Sequence, residues 1–190
     1  GGPVPTPDGS ISIAVAIPHG RDSVSATHFL NQSPITHQEY KHPTTGQRVV
    51  VWQEPFRIIG EEYARGRNDL MRMIINSEAE INWTFDYVFW MDDDTLPPQD
   101  VIPRLLAANT RIASGLYFQR KAPYMPVAYR ATDDPLYPNR YWVIADYPDN
   151  ALMEVDAAGF GCMLIDMEVF RKLPQPWFRW EDNPDIKDYQ

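Results

Sequence analysis

The feature that most constrains this chain is an apolar segment that ends directly in three aspartates. The segment Tyr87–Met91 reads YVFWM, and Asp92, Asp93 and Asp94 follow it. A short, continuous apolar run of this kind is typical of a strand that is buried on both faces. Ligands of open α/β sheets bind outside the carboxyl ends of the strands, so the sequence predicts that the three carboxylates lie at a ligand-binding edge.

Alternation along an extended chain divides these three carboxylates between two sides. Asp92 and Asp94 would face one side together, and Asp93 would face the other. Two carboxylates on one side repel each other unless a cation joins them, and Mg²⁺ or Mn²⁺ commonly takes one or two carboxylates together with phosphate oxygens. The alternative is a turn before a helix N-terminus, where aspartate is also favoured. We favour a divalent metal at Asp92 and Asp94.

The remaining segments predict an α/β domain. The strand candidates are ISIAVAIP, RVVVWQ, RIASGLYF, MPVAYR, YWVIADY and ALMEVDA, and GCMLIDMEVFRKL is typical of a strand that runs into a short helix. Helical spacing covers residues 61–76, and a further helix is predicted to begin at Pro98. We expect residues 1–10 to form a flexible lead-in and residues 11–190 to form one domain, with a truncated carboxyl end left open as an alternative.

Composition narrows the classes of partner and compartment. The formal net charge of -9 argues against nucleic-acid binding and against a polybasic membrane anchor. With Cys162 as its single cysteine, the chain cannot form an internal disulfide or a cysteine zinc cluster. Neither a bilayer-spanning apolar stretch nor a signal peptide is recognisable, which predicts a cytoplasmic protein without a transmembrane segment. The sequence carries no signal for an oligomeric state.

Several segments together resemble glycosyltransferases of the GT-A fold, in particular family 2-like members. The stretch FDYVFWMDDDTLPPQDVIPRLL resembles the D-x-D region, in which a hydrophobic strand ends in the motif and proline and a helix follow. ISIAVAIPHGRD resembles the first strand and the loop that cups the nucleotide base, and GRNDLMRMII resembles the helix before the D-x-D strand. IASGLYFQR and VDAAGFGCMLIDMEVFRKL resemble the following strand and the acceptor-side G-x-G stretch, so the order agrees from about residue 11 to residue 173.

The resemblance implies a fold, a reaction and a cofactor. The implied fold is an α/β, nucleotide-diphospho-sugar transferase-like (GT-A) sandwich, Rossmann-like, with a mostly parallel central sheet. The implied enzyme is a metal-dependent, hexosyltransferase-type glycosyltransferase that uses Mn²⁺ or Mg²⁺. It would move a sugar from a UDP- or GDP-sugar donor to a hydroxyl group of a carbohydrate or other acceptor, with inversion of the anomeric centre.

The resemblance also implies roles for individual residues. The nucleotide-sugar site would comprise Pro18, His19, Arg21, Arg67, Asn68, Asp92, Asp93, Gly159 and Gly161. Asp94 would be the main protein ligand of the metal that bridges the diphosphate, and Asp92 would contact the ribose or the metal.

An inverting transfer also needs a carboxylate base for the acceptor hydroxyl. The stretch RWEDNPD offers Glu181 and Asp182 at about the position of the E-D pair in inverting family members. Two alternatives stay open, because the pair lies close to the chain end: a solvated acidic turn, or a base located beyond Gln190.

Other function classes compete with the glycosyltransferase. A nucleotidyltransferase also uses carboxylates and a divalent ion, but it typically carries a glycine-rich basic loop near its first strand, and IPHGRDSV has one glycine and one arginine. A catalytically incomplete module that binds nucleotide sugars is the second alternative. Trp177, Phe178 and Trp180 could form a stacking platform for a sugar, although we favour a core position for such an aromatic cluster.

Overall fold

The computed structural model describes residues 8–19, 35–36, 38–136 and 140–180. These residues divide into two compact units. The first unit contains the described residues up to Gly115 together with Phe160–Arg179. The second unit contains the described residues of Leu116–Gly159 and Trp180.

The first unit is built on one large sheet. Its strands are β1 (Ile11–His19), β2 (Tyr40–Lys41), β3 (Arg48–Val51), β4 (Phe56–Ile59), β5 (Tyr87–Met91), β6 (Ile112–Ser114) and β10 (Cys162–Asp166). The strand order is β2-β3-β1-β5-β10-β6, and β4 pairs with β1 beyond the end of β3. The helices of this unit are α1 (Tyr63–Ile81), α2 (Val101–Ala107) and α3 (Met167–Lys172).

The prediction of a GT-A, Rossmann-like sandwich with a mostly parallel central sheet is wrong. Strand β1 pairs in parallel with β3, β4 and β5, but β2 is antiparallel to β3, and β10 is antiparallel to both β5 and β6. The sheet is therefore mixed. The physical reason is that an apolar run such as that of β10 indicates burial but has the same pattern in either direction. The direction is set by the chain between β6 and β10, which passes through the second unit.

Strand β1 lies at the centre of the sheet because both of its faces are apolar. Ile13, Val15 and Ile17 on one face and Ala14 and Ala16 on the other are fully buried. Bulky branched residues on one side and small ones on the other allow other parts of the fold to pack closely against both faces. The predictions of strands at β1, β3, β5, β6 and β10 are confirmed.

The long helix α1 begins and ends at recognisable caps. The Glu62 carboxylate accepts hydrogen bonds from the backbone N–H groups of Ala64 (3.0 Å) and Arg65 (3.2 Å). Asn82 ends the helix in the left-handed conformation, with φ of 50°, which asparagine tolerates better than most residues. The predicted helix over 61–76 is thus confirmed but extends further, whereas α2 begins at Val101 rather than at Pro98.

Aromatic rings pack around Trp90 on β5. The Trp90 ring centroid lies 5.4 Å from the rings of Phe160 and Phe178 and 6.5 Å from that of Phe170. The Trp177 indole N–H donates to the Phe170 carbonyl at 2.8 Å. This cluster fixes the segment after α3 against the sheet. The core position that we favoured for the aromatic residues is met in part by Trp177 and Phe178, which are half-buried, and is wrong for Trp180, which is 67% exposed.

The second unit contains a small antiparallel sheet in the order β8-β7-β9. Its strands are β7 (Ala128–Ala131), β8 (Tyr141–Val143) and β9 (Ala157–Ala158). The strands predicted within MPVAYR and YWVIADY are confirmed, whereas most of ALMEVDA is not regular strand. Across the described ranges, no helix is both long enough and apolar enough to cross a bilayer.

The aromatic cluster generates a prediction about stability. Phe178→Ala should lower the free energy of unfolding by about 2–3 kcal/mol, because a ring packed among three others is removed and leaves a cavity. The matched control is Trp180→Ala, two positions along, where the side chain is largely exposed and truncation should cost less than about 1 kcal/mol. Urea unfolding of the three proteins measures both values. Equal losses in the two variants would contradict the packing described for Phe178.

Candidate functional site

Three parallel strands end at one edge of the large sheet, and polar residues follow them there. Strand β1 ends at His19, β4 at Ile59 and β5 at Met91, directly before Asp92. The backbone N–H of Gly60 donates to the His19 carbonyl at 3.0 Å, and that of Asp92 donates to the Gly161 carbonyl at 3.2 Å. These contacts fix the strand ends relative to one another, at the position where ligands bind in open sheets.

The first two of the three carboxylates contact different partners. Asp92 Oδ1 accepts a hydrogen bond from Arg67 Nη2 at 3.0 Å. Asp93 Oδ2 lies 3.4 Å from His19 Nδ1. Asp94 is exposed. Asp93 and Asp94 lie in a turn, in which the Thr95 N–H donates to the Asp92 carbonyl at 3.1 Å, so the turn that the sequence analysis gave as the alternative is present and the expected extended-chain alternation is not. The repulsion between the adjacent carboxylates of Asp92 and Asp93 is lowered because each has its own neighbour.

Arg67 is held in an unusual environment for a cation. Only 13% of its side chain is exposed, and its guanidinium carbon lies 5.7 Å from the ring centroid of Tyr63 and 5.3 Å from that of Phe160. Such cation–π contacts partly replace the hydration that burial removes. Its Nε is buried without a hydrogen-bond partner among the residues that the structure describes. The result is a positioned positive charge beside Asp92.

His19 is a buried imidazole at the end of β1. Burial lowers its pKa below the ordinary value of 6.5, the neighbouring Asp93 carboxylate opposes this shift, and the charge of Arg57 adds to it. Since burial is the largest of these causes, His19 is neutral at pH 7. Pro18, the residue before it, is half-buried in β1.

Asn68 makes contacts within the protein through both of its amide atoms. Its Nδ2 donates to the carbonyls of Ala64 and Phe178, each at 2.8 Å, and its Oδ1 accepts from the backbone N–H of Phe178 at 3.2 Å. The side chain is 5% exposed. In this structure, Asn68 therefore connects α1 to the aromatic segment that follows α3.

The two glycines predicted to shape the sugar site belong to different units. Gly161 is in the first unit and accepts from Asp92 through its carbonyl. Gly159 is in the second unit, where an added Cβ would overlap the hydroxyl of Tyr117 and lie 2.6 Å from Cγ1 of Val127. Gly159 is thus required for close packing within the second unit. The predicted site residues Arg21, Glu181 and Asp182 lie outside the described residues.

The carboxylates of Asp92 and Asp94 are too few to enclose a metal ion without ligands from a bound substrate. Among the described residues, no group of three or more His, Cys, Asp or Glu side chains is arranged to hold a metal. Asp92 and Asp94 are two carboxylates, and Asp92 also accepts from Arg67. Magnesium-type ions are commonly bound by one or two carboxylates with substrate phosphates and water completing the shell. The donor set therefore fits an ion that arrives with a diphosphate, rather than one that the protein encloses alone.

The sequence analysis did not predict the two aromatic rings that contact Arg67. Tyr63 precedes Arg67 by four positions on α1, and this spacing places side chains on one helix face, so it was a usable signal. Phe160 is 93 positions away in the chain, and its approach depends on the path between β6 and β10. No local pattern indicates that contact.

Comparisons with known proteins bear on the fold. No family model matches the chain, and no curated protein matches it. A solved structure titled "Crystal Structure of A197 from STIV" is similar, with a TM-score of 0.53 and 15% sequence identity, over 89% of this chain and 71% of that chain. At this identity, the likeness shows a shared fold alone.

The buried imidazole predicts how stability depends on pH. The folded protein binds fewer protons at His19 than the unfolded chain, because its pKa is lowered from 6.5. This contribution to stability is fully present above pH 6.5 and is lost as the pH falls towards the folded pKa. The stability of the wild type relative to His19→Gln should therefore decline on acidification, as urea midpoints at pH 8, 6.5 and 5.5 would measure. A relative gain of the wild type in acid would mean that the attraction of Asp93 outweighs burial.

The packing of Gly159 predicts a coupling with Tyr117. Gly159→Ala should destabilise the protein by about 1–3 kcal/mol, because the new methyl group has no room beside the Tyr117 ring. In the background of Tyr117→Ala, the same substitution should cost less, since the ring that it would overlap has been removed. Urea unfolding of the four proteins in this cycle gives the coupling. Additive losses would contradict the described approach of the two residues.

Proposed function

We propose that the protein is a metal-dependent glycosyltransferase that moves a sugar from a nucleoside-diphosphate donor to an acceptor hydroxyl group. The observation that carries the proposal is the contact between Arg67 and Asp92 at the carboxyl end of β5, with Asp94 exposed two positions along. It supplies fixed charge of both signs at an edge where ligands bind. A diphosphate accompanied by a divalent ion is the chemical group that requires both signs at once.

The proposed chemistry depends on the charge of the leaving group. Sugar transfer expels a nucleoside diphosphate, and negative charge grows on its oxygens as the glycosidic bond breaks. Asp92 and Asp94 would hold Mn²⁺ or Mg²⁺, which when bound supplies charge neutralisation at the diphosphate. Arg67 orients Asp92 through its 3.0 Å hydrogen bond and adds a cation that the flanking rings keep in place.

The end of β1 is proposed to border the nucleotide. His19 is neutral at pH 7 and almost fully buried, so it would shape this edge from beneath, through its contact with Asp93, rather than offer the ligand a charge. Its contact with Asp93 draws that carboxylate towards β1 and away from the Arg67 side. Arg21 follows two positions later in the sequence and is proposed to contact the same ligand.

The acceptor hydroxyl needs a base, and Glu181 and Asp182 remain the candidates. They follow Phe178 by three and four positions in the sequence. The Phe178 ring lies 5.1 Å from that of Phe160, which contacts Arg67. In the sequence, the acidic pair thus follows a segment that is anchored beside the proposed donor site. Replacing whichever of Glu181 and Asp182 acts as the base should abolish transfer without weakening donor binding.

Calorimetric titration of UDP and GDP, with and without Mn²⁺, tests the donor site. We expect one of the two to bind at about micromolar Kd, or about -8 kcal/mol, only when Mn²⁺ is present. Asp94→Asn should remove the enhancement by Mn²⁺, because a metal ligand is lost. Asp100→Asn is the matched control, since this carboxylate is exposed and pairs with Arg104 on α2.

Three results would contradict the proposal. One is that neither diphosphate binds under any condition. Another is that binding is the same with and without Mn²⁺. The third is that the Asp100→Asn control loses as much affinity as Asp94→Asn, which would assign the effect to overall charge rather than to the site.

A further inference from the structure

The small sheet of the second unit carries three chemically different side chains in one row. Trp142 on β8 and Arg130 on β7 are directly opposite partners, so their side chains lie on the same face. Strand β7 pairs with β9 as Ala128 with Ala158 and Tyr129 with Ala157, and Asp156, the residue before β9, has its Oδ2 3.9 Å from Nη1 of Arg130. The row is therefore Trp142, Arg130 and Asp156, one residue from each strand region.

These three side chains are partly exposed, and the carboxylate of Asp156 is held by a hydrogen bond. Trp142 is 42% exposed, and the side chains of Arg130 and Asp156 are 39% and 44% exposed. Asp156 Oδ2 accepts from the backbone N–H of Ala131 at 3.0 Å and lies 3.9 Å from Arg130 Nη1. The carboxylate is thus fixed beside the guanidinium, and the two opposite charges cancel over the row.

We infer that this row binds a neutral saccharide. One face of a pyranose ring presents C–H groups, which the negative π face of an indole attracts, while the edge presents hydroxyl groups. Each hydroxyl both donates and accepts a hydrogen bond, and the row offers a guanidinium donor next to a carboxylate acceptor. Because the charges of Arg130 and Asp156 cancel, the row favours a neutral polyol over an anion or a cation.

The dimensions agree with this class of ligand. Three adjacent strands span two strand spacings, or about 10 Å, which is enough for a sugar ring on Trp142 and a second ring across the charged pair. The role of this saccharide as the acceptor rests on the proposed function. Its binding is measured without any donor.

The test is titration of the whole protein with maltotriose, cellotriose and mannotriose at millimolar concentrations, followed by NMR and without nucleotide. At least one trisaccharide should bind, and Trp142→Ala should weaken that binding about tenfold, because the stacking surface is lost. Tyr141→Ala is the matched control: this ring is on the same strand, 39% exposed and on the opposite face, so its loss should leave the affinity unchanged. If Trp142→Ala lowers the melting temperature, Arg130→Gln serves as the test variant in its place. It should also weaken binding of the trisaccharide.

Several outcomes would overturn the inference: no trisaccharide binds, the two aromatic variants lose affinity equally, or both Trp142→Ala and Arg130→Gln bind as the wild type does. Perturbation of this face by uridine or guanosine, but by no saccharide, would assign the row to a base instead.

Loss of saccharide binding with Mn²⁺-dependent nucleotide binding intact would overturn this inference alone. Saccharide binding without any nucleotide binding would overturn the proposed donor site alone.

Discussion

The first unit depends on the burial of β1 along both faces and both edges. Its backbone pairs with β5 on one edge, and on the other edge first with β3 and then with β4. An element with fully buried Ile and Ala residues and with partners on both edges has one register that satisfies its backbone groups. Because β4 and β5 are both parallel to β1, their ends are brought to the same edge as His19, and the polar residues after them become neighbours.

The charges at this edge are stable because other side chains hold them. The Arg67 guanidinium lies over the rings of Tyr63 and Phe160 and donates to Asp92, so a largely buried cation has both an anion and aromatic rings as neighbours. Phe160 is in turn held by Phe178 and Trp90, and Phe178 is fixed through its backbone by Asn68. The candidate site and the aromatic core are therefore connected by direct contacts.

The sequence was informative where a feature is local. The apolar run of β5 predicted that carboxylates follow a buried strand, whereas the extended-chain alternation assumed for them does not apply, because Asp93 and Asp94 lie in a turn. It was misleading on the sheet, because β10 has the pattern of a buried strand whichever way it runs. The contact of Phe160 with Arg67 and the close approach of Tyr117 to Gly159 are likewise set by how distant segments pack. Asn68 looked like a ligand-binding residue beside Arg67, yet helix geometry turns it towards Phe178, so neighbours in sequence acquire different environments.

Sugar transfer itself can be measured by the mass that an acceptor gains. The protein would be incubated with Mn²⁺, a panel of UDP- and GDP-sugars and the three trisaccharides, and the acceptor masses would be measured. We expect one acceptor to gain the mass of one sugar residue while an equal amount of nucleoside diphosphate is released, and we expect Asp94→Asn to prevent both. If a diphosphate and Mn²⁺ bind but no member of the panel is transferred or hydrolysed, the claim of catalysis is contradicted, and the protein is a nucleotide-binding module instead.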